Sequence, residues 1–343
     1  MVALAAALQL AAAYAGNEVR LLTGPEESTQ HRIGNDLVWN VAPFADVPLK
    51  TVTTTGPADV LQKLRDKAWE GGGLDLALLP ADVAQTYLLA AERGNKDAVF
   101  WIAPLRVIAP LYDEEIHFVV RSDSPYRSVQ DIRDARIDVG PFTSQTALTV
   151  ATLYRLLFDA QPPMDKFSHF GPTQALANLL TDRSVDVVAV VADQPVAFLA
   201  NMKPEARRFV RLLKWDTGNA VAAALGTYHV STLRATSYPN LLDEDVAALA
   251  VRLYLVARGK GEGEDAGRLR RLVETYCREL PRMQSDGNAK WRDVVLGLPA
   301  LAPGWHYSKT STPGLARCAG LAESDIPDAC LPQEYALGIC SLD

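Results

Sequence analysis

Cysteine is scarce in this sequence, with four residues in 343, and histidine hardly commoner, with five. Cys277, Cys318, Cys330 and Cys340 all lie in the last quarter and none has C-x-x-C spacing, which excludes the usual zinc and thioredoxin-like motifs. His31, His117, His169, His229 and His306 are dispersed, and the chain contains no H-E-x-x-H, no G-x-S-x-G and no G-x-x-x-x-G-K. Zincin, nucleophile-elbow and phosphate-loop chemistry are therefore not announced, and no metal, cofactor or catalytic activity is expected. Basic residues are outnumbered 34 to 41 by acidic ones, for a formal net charge of −7, and they form no stripe, so nucleic acid is not an expected partner.

A long apolar run is also missing. The first fifteen residues, MVALAAALQLAAAYA, carry no charge and end in Ala13-Tyr14-Ala15, the small-x-small pattern of a signal-peptide cleavage site. That run is too short to cross a hydrocarbon layer of ~30 Å alone. Export is expected, with cleavage before Gly16; without a basic n-region, the run also fits the end of a longer membrane anchor, or an ordinary helix. In an exported chain the four cysteines read as disulfides. Four permit three pairings; Cys318 with Cys330 and Cys277 with Cys340 are favoured, stapling down a C-terminal extension, 302–343, with little core of its own.

What the sequence has in quantity is alternation of short apolar runs with amphipathic stretches, the pattern of α/β layers. Strands are predicted at Val19–Leu22, Lys50–Thr53 and Leu74–Leu79, with helices at Thr29–Asn40, opened by Ser28, at Pro57–Lys67 and at Ala81–Glu92. A second unit repeats the order, with strands at Ile116–Arg121, Arg136–Gly140 and Val185–Val191, and helices at Ser128–Asp134, Ser144–Phe158, Thr173–Thr181 and near Pro195–Ala200. After Leu213 the chain is expected to return to the first lobe, with helices at Asp243–Ala257 and Ala266–Glu279. The expected division is lobe 1 over 16–115 and 214–301 and lobe 2 over 116–213, joined by crossings near Glu115–His117 and Leu213–Trp215. A cleft between two such lobes is where small ligands bind. The close glycines of Gly259–Gly267 follow no strand and read as a solvated loop.

Four ordered segments carry a family likeness: VRLLTGPEESTQHRIGNDL, VTTTGPADVLQKLRDKAWEGGGLDLALLPADVA, APLYDEEIHFVVRSDSPYRSVQDIRDARIDVGPFTSQTALTVATLYRLL and STLRATSYPNLLDEDVAALAVRLYLVAR. Together they resemble the TAXI solute-binding proteins, the periplasmic receptors of TRAP transporters. The resemblance implies a two-lobed α/β periplasmic-binding-protein (Venus flytrap) architecture with hinge strands. It also implies capture of a small organic anion or amino acid for a TRAP-type membrane permease. The chain departs from the family at its first turn, Glu26-Glu27-Ser28-Thr29, and at its second-lobe turn, Phe142 to Thr146.

Three turns supply the helix N-termini an anion needs: Ser28 and Thr29; Thr54, Thr55 and Gly56; and Thr143, Ser144, Gln145 and Thr146. Each hydroxyl is equally a helix cap. Glu26 and Glu27 would welcome an ammonium group or simply face solvent. Gln194 is expected to read an amide or hydroxyl, Tyr228 and Tyr238 to form an aromatic wall, and Asp82 to face the cleft or cap its helix. Asp113-Glu114-Glu115 could imitate an acid–base pair but reads as a solvated hinge. A sensor or adaptor on the same fold, signalling to a partner protein, is the alternative function.

Overall fold

The computed structural model describes residues 18–69, 73–219, 221–258 and 263–322. The apolar segment 1–15, Cys330 and Cys340 lie outside them. Among the described residues no helix is long and apolar enough to cross a membrane.

The first half runs β1 (Val19–Thr23), α1 (Thr29–Asn40), β2 (Leu49–Thr53), α2 (Pro57–Trp69), β3 (Asp75–Pro80) and α3 (Asp82–Glu92). A long strand, β4 (Leu105–Arg121), then carries the chain into the second half. There follow β5 (Ile137–Asp138), α4 (Gln145–Phe158), β6 (Phe167–Ser168), α5 (Pro172–Leu180), β7 (Val187–Ala192), β8 (Val210–Leu212) and β9 (His229–Leu233). The return strand β10 (Val246–Arg258) leads to α6 (Gly263–Asp286) and α7 (Thr312–Cys318). The expected helix at Ser128–Asp134 is a 3-10 turn over Val129–Asp134.

All ten strands among the described residues belong to one sheet, ordered β2-β1-β3-β10-β4-β7-β5-β6, with β8 on β4 and β9 on β10. The pairs β1–β2 and β1–β3 are parallel, as strand–helix–strand units require, whereas β4 and β10 run antiparallel to each other. The beginning of β4 and the end of β10 sit in the first α/β half, beside β3. The end of β4 and the beginning of β10 sit in the second, beside β7, β8 and β9. Two lobes therefore share two continuous strands.

The helix expected over Asp243–Ala257 is β10 instead. This strand lies between β3 and β4 with apolar contacts on both faces, so no polar stripe reveals its period. Its alternation also changes parity. Leu249 and Val251 pack in the core face that later takes Tyr254 and Val256, while Leu253, Leu255 and Ala257 face the other core. The register irregularity between Arg252 and Tyr254 produces the switch.

One core, including Leu22, Val60, Leu79, Phe118, Val150 and Trp305, runs along one face of the sheet through both halves. On the other face each half has its own core: Val19, Ile33, Leu76, Leu272 and Tyr276 in the first, and Val119, Leu179, Val188, Leu233 and Tyr238 in the second.

The expected disulfide pairs, Cys318–Cys330 and Cys277–Cys340, are not formed. Cys277 of α6 is bonded to Cys318 of α7, with Cα atoms 6.0 Å apart. The reason lies in the packing: Leu315 and Ala316 of α7 bury against the same core as Leu272, Val273 and Tyr276 of α6. The segment leading to α7 has more core than expected. Trp305 is buried and donates its ring N–H to the Ala81 carbonyl at 2.6 Å, while Val107 of β4 exchanges backbone bonds with His306 and Ser308 at 2.8 and 2.9 Å. A disulfide closing a separation of 41 residues contributes about 2–4 kcal/mol. Thermal melting with and without reductant should therefore show a clear loss of stability on reduction, reproduced by Cys318→Ser. Coincident melting curves would mean that the bond does not form in solution.

Candidate functional site

A cavity of about 420 Å³ lies between the lobes. Its wall comes from three helix starts. α1 opens at Ser28, whose Oγ accepts the His31 N–H at 3.2 Å, and α4 opens at Ser144, whose Oγ accepts the Ala147 N–H, also at 3.2 Å. The turns before them are built alike: Ser28 N–H donates to the Pro25 carbonyl at 2.9 Å and Ser144 N–H to the Pro141 carbonyl at 2.8 Å. Gly24-Pro25-x-x-Ser28 and Gly140-Pro141-x-x-Ser144 are one sequence pattern used once in each lobe. The third start, α2, follows Thr54, whose hydroxyl donates to the Thr23 carbonyl at 2.6 Å, and Thr55, whose N–H donates to Asp59 Oδ2 at 3.0 Å.

Eight of the residues selected from sequence line the cavity: Ser28, Thr29, Thr54, Thr55, Gly56, Ser144, Gln145 and Thr146. Thr143 meets the site only through its backbone. Its carbonyl lies where a Cβ on Gly56 would be, at 2.0 Å, so lobe touches lobe there and only glycine fits. Gly56 also has φ +151°, a conformation that L side chains rarely adopt.

Four expected site residues are elsewhere. Asp82 is fully buried at the start of α3 and accepts the Tyr228 hydroxyl at 3.0 Å; burial pushes its pKa up to about 6. Tyr228 is spent on that bond and on the Thr149 carbonyl at 3.1 Å, and does not face the cavity. Tyr238 is buried too, 2.6 Å from His117 Nε2 and accepting the Val196 N–H at 3.0 Å, so no tyrosine wall forms. Gln194 is a strut: it donates its backbone N–H and its Nε2 to the Glu115 carboxylate at 3.1 and 2.9 Å and accepts the Arg234 N–H at 2.9 Å.

The largest departure concerns Asp113-Glu114-Glu115, which is not a solvated hinge. Asp113 binds the Arg252 guanidinium and His229 Nε2, the latter at 2.8 Å, and Glu115 holds Gln194. Glu114, 4% exposed, forms part of the cavity lining. Gln145 Nε2 donates to its Oε2 at 2.5 Å and Gln30 Nε2 to its Oε1 at 3.2 Å, and Gln30 also donates to Gln145 Oε1 at 2.6 Å. Gln30 belongs to α1, Gln145 to α4 and Glu114 to the shared strand β4, so this cluster ties together both lobes and their link. Burial pushes the Glu114 pKa up to about 7 and the negative charge of Asp193 adds to the rise, while the amide donors oppose it. Glu27, at the exposed rim, Asp193 and Arg32 complete the charged lining; Glu26 is exposed outside it.

Gln30, Arg32 and Glu114 were not selected from sequence. The repeated G-P-x-x-S pattern was the available signal for Gln30, since it marks residues 24–30 and 140–146 as equivalent turns.

Residues 21–292 match the model of the NMT1-like family. Among solved structures, the chain is similar to a periplasmic sulfonate-binding protein from Methylobacillus flagellatus KT, with 14% identity over 80% of this chain and 72% of that one and a TM-score of 0.47. It is also similar to a TctC solute-binding protein from Polaromonas, with 14% identity, 88% and 96% coverage and a TM-score of 0.40. The periplasmic binding protein BugD shows 11% identity, 94% and 98% coverage and a TM-score of 0.45.

A buried carboxyl whose pKa is higher folded, about 7, than its ordinary 4.5 favours the folded state below 4.5, and that contribution is lost as pH rises through 7. Glu114→Gln removes the ionised form. Without ligand, the variant should melt a few degrees above the parent at pH 8, with the difference closing between about pH 7 and pH 4.5. A pH-independent difference would mean that Glu114 titrates normally.

Proposed function

Since the chain belongs to the NMT1-like family and folds as a two-lobed periplasmic-binding-protein architecture, we propose that it is an extracytoplasmic receptor for a small organic anion or amino acid, without catalytic activity. It would deliver this solute to a membrane permease of TRAP type, the partner that the likeness to TAXI receptors implies. The observation that carries the proposal is the paired G-P-x-x-S turns, one from each lobe, lining one cavity with a residue of the shared strand. A solute between them touches both lobes and so favours closure; a solute held by one lobe would not.

The lobe division enters this proposal with one amendment. Leu233, Tyr238, Leu241 and Leu242 share a core with Val119 and Leu179, so residues 214–248 are assigned to lobe 2. The second crossing is then β10 near Arg252, not Leu213–Trp215.

Two measurements test the receptor role. Native mass spectrometry of the freshly purified protein should find one small molecule per chain, or a vacant protein that gains thermal stability with a carboxylate or amino acid. A vacant protein stabilised by neither would favour a sensor or adaptor. In the second, Gly56→Ala should hold the lobes apart, because its Cβ would meet the Thr143 carbonyl. The expected result is affinity at least tenfold weaker and a radius of gyration that no longer contracts with ligand; contraction like that of the parent would show that closure does not bring these turns together.

A further inference from the structure

The cavity carries more acid than its one cationic side chain offsets. Glu27, Glu114 and Asp193 line it, and among the described lining residues Arg32 is the only cation. The Arg32 guanidinium is engaged by the Glu27 carbonyl at 2.8 Å and by Thr29 Oγ1 at 2.7 Å. Glu114 is held by two neutral amides and no cation. Amide donors orient a carboxylate without neutralising it, and a buried carboxylate without a counter-charge is costly. A neutral side chain at this position would carry none of that cost. Glu114 also has unused capacity: Oε1 accepts one bond, from Gln30 at 3.2 Å, where a carboxylate oxygen takes two.

Resting on the receptor role above, we propose that Glu114 determines the specificity of the cleft, and that the captured solute carries an ammonium or other protonated nitrogen that seats on its carboxylate. An anionic end of the same solute lies at the starts of α1 and α4, where helix dipoles and first-turn N–H groups favour it. Carboxylates lacking a cationic nitrogen are rejected. The charges acting on Glu114 are Asp193 after β7 and Asp82 from α3; the Tyr112 hydroxyl of β4 lies beside it with Arg32 from α1, and Lys290, 5.8 Å from the Tyr112 ring, acts on Asp193 and Glu115. None of the acids among them can supply the missing charge, and Arg32 is held at the rim turn. The nitrogen therefore replaces a proton on Glu114, and its binding tightens by about tenfold from pH 6 to pH 8 as the carboxyl ionises.

The test is calorimetric titration of the full chain at pH 7.5 with the twenty amino acids, their N-acetyl derivatives and plain carboxylates of matching chain length. At least one amino acid should bind, with its N-acetyl and nitrogen-free counterparts at least a hundredfold weaker. Glu114→Gln should weaken the amino acid at least tenfold and abolish the pH dependence, while Glu114→Asp, which keeps the charge, retains the preference for nitrogen. Equal binding of N-acetyl or plain carboxylate probes, or unchanged discrimination in Glu114→Gln, would overturn the assignment and leave the receptor role standing. Binding of no probe, together with a vacant protein in native mass spectrometry, would overturn both.

Discussion

The antiparallel pairing of β4 with β10 is the constraint on which the rest of the molecule depends. Each strand begins in one lobe and ends in the other, so the pair sets the spacing of the lobes. β4 presents even-numbered residues, Ile116, Phe118 and Val120, to the core face that takes odd-numbered Leu105 and Val107 nearer its start. β10 makes the same change beside Arg252. Both strands thus shift phase between the lobes, and the acidic triplet begins at the edge of one of the two register irregularities, with Asp113 opposite Arg252.

Much of the scaffold was legible in the sequence, for identifiable reasons. Ser28 and Ser144 combine cap chemistry with the apolar periodicity behind them, and the structure starts helices directly after both. Leu74–Leu79, a short apolar run, is close to the observed strand Asp75–Pro80. β10 was missed because a central strand buried on both faces, with a parity change in its middle, has neither a period of two nor a polar side. The disulfide was misassigned because spacing along the chain says nothing about which helices pack together. Of the site, the turns were legible because they are local. Glu114 was not, because three consecutive acids look like a solvated patch until strand pairing gives each a different neighbour.

Those three acids show how one short stretch serves several ends. Asp113 is compensated by Arg252 and His229 across the strand pair, and Glu115 is satisfied by Gln194 and influenced by Lys290. Between them Glu114 is left with amides alone. Consistency between local chemistry and fold is the rule in stable proteins, and Glu114 departs from it.

The contact of Gly56 with the Thr143 carbonyl has a further consequence. In the proposed receptor the two turns, backbone against backbone, would act as an end stop for closure, with a chamber of about 420 Å³ behind them. A molecule too large for that chamber would then prop the jaws apart, and one too small would leave them closed around water. The cleft of that receptor would be a caliper as well as a set of donors and acceptors, with its gauge set by a hydrogen atom where every other amino acid has carbon.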